Sequence, residues 1–244
     1  MTADRRDINR MVYRATDARG IGMLDPRDRW GRKNAYIDCL QKEAIARVCA
    51  FTGEETVLEY GCGAGRIAGW LGERTRQVVA VDIDPDLLRI ARHLFARDNV
   101  LYMEVGASET PFADGSFDII TCIGLFRFMS LDEVGVLLGR FRRLLKPGGT
   151  LVCIDRFFTK PRPAHHLVAE LHSAFEKQDM GSVRALPIRK GHWLPLYLVQ
   201  FGLIPRSRRR PLAHYELDKR ARDPVSPRDY YQYIWYYTRE GERG

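Results

Sequence analysis

Apolar and polar positions alternate along the middle of the chain in two periods. From Glu54 to Asp155, short β-rich runs are separated by helical stretches. Thr56-Val57-Leu58-Glu59-Tyr60 reads as a buried strand, followed by Gly-rich residues 61–65 and a helix through Trp70 and Leu71. Val78 to Asp82 is a second strand. Asp84-Pro85 then supplies an N-cap with proline at the first helical position, opening a helix through Leu87, Leu88, Ala91 and Leu94. Val100 to Val105 and Asp118 to Cys122 are the third and fourth strands. Ser130-Leu131-Asp132-Glu133 is a capping box at the head of a helix running to Leu145. Lys146-Pro147-Gly148-Gly149 is expected to stop that helix, and Thr150 to Asp155 is a fifth strand. Continuous Val/Ile/Leu strands alternating with helices predict an α/β fold, a doubly wound parallel sheet covered on both faces.

The flanks carry a different pattern. Residues 1–53 are expected to form an N-terminal helical cap or lid, with Tyr13, Trp30, Arg32 and Tyr36 ahead of a helix from Asp38 to Phe51. After Asp155, a Pro/His stretch ending in His165-His166 precedes an amphipathic helix to about Lys177, and a second helix covers Leu194 to Phe201. The basic run Arg206 to Arg210 follows. Tyr230 to Tyr237 is dense in β-formers and reads as a final strand. With no internal repeat and no long linker, residues 54–155 and 156–244 are read as two halves of one domain, the second supplying substrate-side helices and closing strands.

Composition narrows the class. At 244 residues and 45% hydrophobic, the chain is large and apolar enough for a real core and too apolar for disorder. Its five cysteines are scattered and contain no C-x-x-C pair, which predicts neither a disulfide framework nor a metal site and fits a reducing cytoplasm. The N-terminus lacks the apolar stretch of a signal peptide, and Trp193 to Pro205 is too short to span a bilayer; peripheral membrane contact stays open. The formal charge of +8 is unevenly placed. Residues 156–244 hold 17 Lys+Arg against 9 Asp+Glu, whereas residues 1–155 balance. A basic second part predicts an acidic partner there, or an Arg-rich solvated surface.

The chemistry concentrates between the first strand and its helix. In Glu59-Tyr60-Gly61-Cys62-Gly63-Ala64-Gly65, alternating glycines let the backbone turn sharply against a ligand. Asp82, at the end of the next strand, faces the same crevice and suits two ribose hydroxyls. This predicts a nucleoside-containing cofactor. A dinucleotide fingerprint needs a third glycine where Arg66 stands, and Glu59 would repel a pyrophosphate but attract an ammonium. A zwitterionic, sulfonium-bearing cofactor, S-adenosylmethionine, fits better.

On these residues the chain resembles class I S-adenosylmethionine-dependent methyltransferases of the small-molecule type. Pro111-Phe112-Ala113-Asp114-Gly115-Ser116-Phe117-Asp118 is similar to the family's approach to strand four, and Leu144-Leu145-Lys146-Pro147-Gly148-Gly149-Thr150-Leu151 to its approach to strand five. The resemblance covers about residues 54–155. It implies a mainly parallel, Rossmann-like seven-stranded sheet with an antiparallel closing strand. It assigns Glu59 to the methionine ammonium, and Gly61 and Gly63, with Tyr60 and Cys62 in the same turn, to the methionine and ribose portion. Asp82 takes the ribose hydroxyls, Ile83 packs on adenine, Ala107 with neighbours Gly106 and Ser108 lines the adenine edge, and Ile123 lies near the methionine. Where the family often has an Asp, this chain has Gly106; the backbone, Ser108 or Glu109 serves instead.

Methyl transfer is an in-line displacement, so the protein must mainly align acceptor and methyl group and exclude water. A general base is needed only for a protonated acceptor. His165, His166 and His192 are candidates, His214 a weaker one, Asp155 is a base or a loop cap, and Arg127 is a substrate contact or a packing residue. Nucleic-acid methylation is disfavoured, because Cys122-Ile123-Gly124-Leu125 is not an N/D-P-P-Y/F motif and Cys122 follows Thr121 rather than proline. The expected function is methyl transfer to a small acidic metabolite, sugar or lipid-linked acceptor. An RNA or tRNA methyltransferase and a non-catalytic binding domain are the alternatives. Oligomeric state is not predicted.

Overall fold

The computed structural model describes residues 25, 28, 30–106, 109, 111–158, 167–223 and 230–240. Seven strands form one sheet in the order β3-β2-β1-β4-β5-β7-β6. These are β1 (Thr56–Tyr60), β2 (Gln77–Asp82), β3 (Val100–Glu104), β4 (Phe117–Ile123), β5 (Leu145–Phe158), β6 (Arg184–Lys190) and β7 (Tyr230–Thr238). β1 to β5 run parallel, and β7 lies antiparallel to both β5 and β6. The carboxyl ends of β1, β2, β4, β5 and β6 therefore meet along one sheet edge, where ligands of doubly wound folds bind.

Two layers of helices cover the sheet. On one face, α1 (Arg32–Val48), α2 (Arg66–Gly72), α3 (Pro85–Leu94), α6 (Leu194–Gln200) and α7 (Arg209–Arg222) close over Val57, Val78, Ala80, Ile119, Val152, Ile154 and Ile234. On the other, α4 (Leu131–Leu144) and α5 (Val168–Glu176) cover Leu58, Tyr60, Ile120, Cys122, Leu151 and Trp235. Trp235 is stacked on Phe175 with ring centroids 5.6 Å apart. The two local start signals behave as expected. Asp84 accepts from the amides of Asp86 and Leu87. Ser130 and Glu133 form a reciprocal capping box. All five cysteines are free thiols.

Four elements differ from expectation. Helix α1 spans residues 32–48 rather than 38–51, because Asp28 accepts from the Asn34 amide and fixes a polar first turn that carries no apolar signal. At the other end Cys49 is already extended, and Glu55 binds the amides of Thr52 and Gly53. Leu145 belongs to β5, paired with Phe117, and Lys146–Gly149 forms an irregularity inside that strand. Lys146 is fixed there by Asp118 at 2.7 Å. The resemblance implies a seventh strand without placing it; that strand is β6, and α7 has no counterpart in the sequence pattern. β6 carries Pro187, which an edge strand tolerates, and α7 begins inside the basic run.

Candidate functional site

The glycine turn is built by the sheet beneath it. The Gly61 and Cys62 amides both donate to the Val81 carbonyl, at 2.8 and 2.9 Å, tying the turn to the end of β2. Gly61, Gly63 and Gly65 all have positive φ. At Gly65 (φ +80°) a Cβ would lie 2.8 Å from Ala91 Cβ and 2.9 Å from the Tyr102 hydroxyl, so only glycine lets α2 sit this close to α3 and β3. Asp82 spans the turn from the other side. Its Oδ2 accepts from the Gly63 amide at 2.7 Å and its Oδ1 from the Asp84 amide at 3.0 Å. Each oxygen keeps a lone pair, so the same carboxylate can accept from a vicinal diol. Burial raises its pKa above the usual carboxylate value, with the two amides pulling the other way.

Glu59 is the unusual group. It is 2% exposed, and its Oε2 has no hydrogen-bond partner. Burial pushes its pKa from the usual 4.5 up to about 8, opposed by the Arg66 guanidinium and the Ala68 amide and reinforced by Asp82. Across the strand pair it is in register with Thr121 of β4, whose buried hydroxyl also lacks a partner. Arg66 does not neutralise the carboxylate outright, because its guanidinium is bound by Asp38 (2.8 Å) and Gln41 of α1. A buried, partnerless carboxylate oxygen beside a partnerless hydroxyl is costly unless a cation arrives. This pair of acceptors fits the ammonium of S-adenosylmethionine, with Asp82 one glycine turn away for the ribose.

The other residues that the resemblance assigns to the cofactor are distributed as follows. Ile83, expected to pack on adenine, is 40% exposed directly after Asp82. Ile123 ends β4, paired with Ile154. Tyr60 turns its ring to the opposite face, edge-on to Phe141, and its hydroxyl donates to the Glu109 carbonyl, so its side chain anchors the loop after β3. The Cys62 thiol is buried in the α1-side core, and burial raises its pKa well above that of a free thiol. At Gly106, the Glu109 carboxylate folds back onto the amide at 3.2 Å and occupies the space a Cβ would need. Ala107 and Ser108 lie outside the described residues.

Of the candidates on the acceptor side, Asp155 is buried and accepts from the amides of Arg127 (3.2 Å) and Arg156 (2.7 Å), fastening the turn at 126–128 to β5. The geometry is that of a loop cap. Arg127 stands after β4 with its guanidinium 4.8 Å from the Phe128 ring centre and beside Gly124. His192 is exposed ahead of α6, and His214 lies between Glu43 and Arg47 on the outside of α1 and α7. His165 and His166 fall outside the described residues, as does Tyr13. Tyr36 is fully buried and donates to Glu216 at 2.7 Å, so it packs rather than closes over the edge.

Several groups near this edge carry little or no local sequence signal. Thr121 was legible as the lone hydroxyl inside an apolar strand, whereas Arg189, Glu216, Arg220 and Gln232 gave no signal. Arg156, Gln232 and Arg189 are in register across β5, β7 and β6 at the carboxyl edge. Glu216 of α7 is buried close to Arg189 and Arg220, and burial raises its pKa to about 7 against both guanidiniums and the Tyr36 hydroxyl. The described residues contain no cluster able to hold a metal ion and no helix long and apolar enough to cross a membrane.

A mainly parallel sheet of this order, with a glycine turn, a carboxylate at the end of β2 fastened across it and a buried glutamate lacking a partner at Oε2, has the form of a nucleoside-cofactor-binding α/β protein. A family model described as a methyltransferase domain matches residues 58–153. The demethylmenaquinone methyltransferase of Lactococcus lactis is 30% identical over 177 residues, 68% of either chain. An uncharacterised methyltransferase of Bacillus subtilis, YodH, is 30% identical over 123 residues, 50% of this chain and 52% of that one. Among solved structures, the S-adenosyl-L-methionine complex of Haemonchus contortus phosphoethanolamine N-methyltransferase 2 has a TM-score of 0.66 at 14% identity, covering 99% of this chain and 61% of that one. The chain belongs to the class I S-adenosylmethionine-dependent methyltransferases. It spans about half the length of the first curated relatives it matches.

Proposed function

We propose that the protein transfers a methyl group from S-adenosylmethionine to a small acidic acceptor held at the sheet edge formed by the carboxyl ends of β4, β5 and β6 and the start of β7. The cofactor supplies an electrophilic methyl on a sulfonium. Glu59 and Thr121 would hold its ammonium, Asp82 its ribose, and Ile83 with Glu109 and the Gly106 backbone its adenine. The observation that carries the cofactor reading is the partnerless Oε2 of Glu59 in its buried setting beside the Asp82-fastened turn. For the acceptor, support comes from the basic character of the edge, where Arg127 and the register row Arg156–Gln232–Arg189 stand. Guanidiniums pair with carboxylates and phosphates through two parallel N–H donors. Asp155 then acts as a positioning residue, holding the Arg127 turn against β5.

A second reading follows from the relatives. Several that are 30–36% identical are named demethylmenaquinone methyltransferases, which favours an uncharged ring acceptor at the same edge. One experiment separates the two. Labelled methyl transfer is measured with phosphorylated or carboxylated acceptors, their neutral analogues, and demethylmenaquinone. The acidic reading expects turnover with the anions, and a rise in KM of about tenfold or more in Arg127→Met and Arg156→Met, the loss of one charge-assisted bond. Preference for neutral acceptors, with both variants unaffected, would overturn it. Failure of S-adenosylmethionine to bind in calorimetry would overturn the cofactor assignment itself.

A further inference from the structure

Helix α6 is apolar on both sides. Leu196 and Val199 point into the core, while Leu194 (69% exposed), Tyr197 and Phe201 (60%), at spacings of three and four residues, form a stripe facing water. Leu203 (70% exposed) extends it into the following turn. Trp30, also exposed, lies with its ring 6.3 Å from that of Phe201, and the Arg32 guanidinium sits 5.7 Å from the Trp30 ring centre. Two distant segments thus contribute to one apolar face.

The chain that follows the apolar stripe is basic. Residues 191–215 contain no Asp or Glu, and Arg206, Arg208, Arg209 and Arg210 follow the apolar stripe directly. Arg210 is bound to Glu43 at 2.7 Å, but Arg206 and Arg208 are exposed and make no ion pair among the described residues. Large aliphatic and aromatic side chains beside arginines match the division of a bilayer surface. Leu, Phe and Trp enter the acyl boundary, Tyr sits at headgroup depth, and the guanidiniums reach anionic phosphates. An apolar patch of this kind on a folded chain marks an interaction surface, and the lack of Asp or Glu between residues 191 and 215, with Arg206 and Arg208 exposed, favours an anionic one.

We propose that the face formed by Trp30, Leu194, Tyr197, Phe201 and Leu203, with Arg206 and Arg208, docks the protein on an anionic lipid surface. Because β6 delivers the chain to α6 at the carboxyl edge of the sheet, docking there would set the acceptor side against the membrane. The docking itself does not depend on the identity of the acceptor.

The test is co-sedimentation of the 244-residue chain with vesicles of phosphatidylcholine alone, or with roughly a third of the lipid replaced by phosphatidylglycerol. Binding to the anionic vesicles only is expected. Reversing both charges (Arg206→Glu, Arg208→Glu) should weaken it by about twentyfold or more, from about fivefold per cation near the surface. Leu194→Ser with Phe201→Ser should weaken it at least tenfold while leaving cofactor binding intact, since both side chains are already in water. Equal partition onto the two vesicle types, or full binding by both variants, would overturn the proposal. So would a self-association seen in sedimentation velocity that the serine variant abolishes without any vesicle binding by the parent chain, which would assign the face to a second copy.

Discussion

Replacing Glu59 by Gln should make the protein more stable and worse at binding its cofactor, and the two effects should have opposite pH signatures. Glu59 is fully enclosed and titrates at about 8 instead of 4.5, chiefly through burial. At about 1.4 kcal/mol per tenfold in acidity, that gap corresponds to as much as about 5 kcal/mol held against the charged form. Because the folded pKa lies above the unfolded one, the folded state binds more protons between about pH 4.5 and about pH 8. Stability of the parent therefore falls as pH rises through that window, and the stabilisation from Glu59→Gln grows from near zero below it to its full value above it. An amide keeps the shape and can face the Thr121 hydroxyl. Cofactor affinity moves the other way. The parent must ionise Glu59 to meet an ammonium, so its affinity should tighten by up to about tenfold per pH unit between about pH 5.5 and about pH 7.5, where the ligand's own ammonium keeps its charge. The variant should show no such slope and bind about 10- to 100-fold more weakly at the upper end, the loss of a charge-assisted hydrogen bond. Urea titrations and calorimetry with S-adenosylhomocysteine across that range measure both. A stability difference that does not change with pH, or parallel affinity slopes in parent and variant, would refute the assignment.

Two further substitutions probe the same turn. Asp82→Ala removes the proposed diol acceptor and frees the Gly63 amide, so calorimetry should show affinity falling by about a hundredfold. The pH slope should survive in that variant, because Glu59 still titrates. Gly65→Ala places a methyl 2.8 Å from Ala91 at φ +80°, and should cost about 2–4 kcal/mol in a urea titration; an unchanged midpoint would show that α2 can shift away from α3.

What the sequence disclosed was whatever a local pattern encodes. Asp84-Pro85 and Ser130/Glu133 name the starts of α3 and α4 because capping uses neighbours within three residues. Glu59, Gly61, Gly63 and Asp82 were legible because one strand–turn–helix unit holds them and the next strand completes it. The hidden parts depend on partners far along the chain. α7 reads as a basic surface because its buried face carries Glu216 and Arg220 as well as Ala213 and Leu217. Those polar groups fit the interior only because Tyr36, 180 residues earlier, donates to one and Arg189 lies beside it. The same dependence governs the site. Arg66 in sequence is simply the residue that breaks a dinucleotide fingerprint. In the fold Asp38 and Gln41 of α1 bind its guanidinium, leaving Glu59 short of a full counter-charge and its Oε2 without a donor. A helix assigned to a cap by its position thus limits, through Arg66, the counter-charge available to the group that would receive the cofactor, and α1 would bear on binding without any of its own residues touching the ligand.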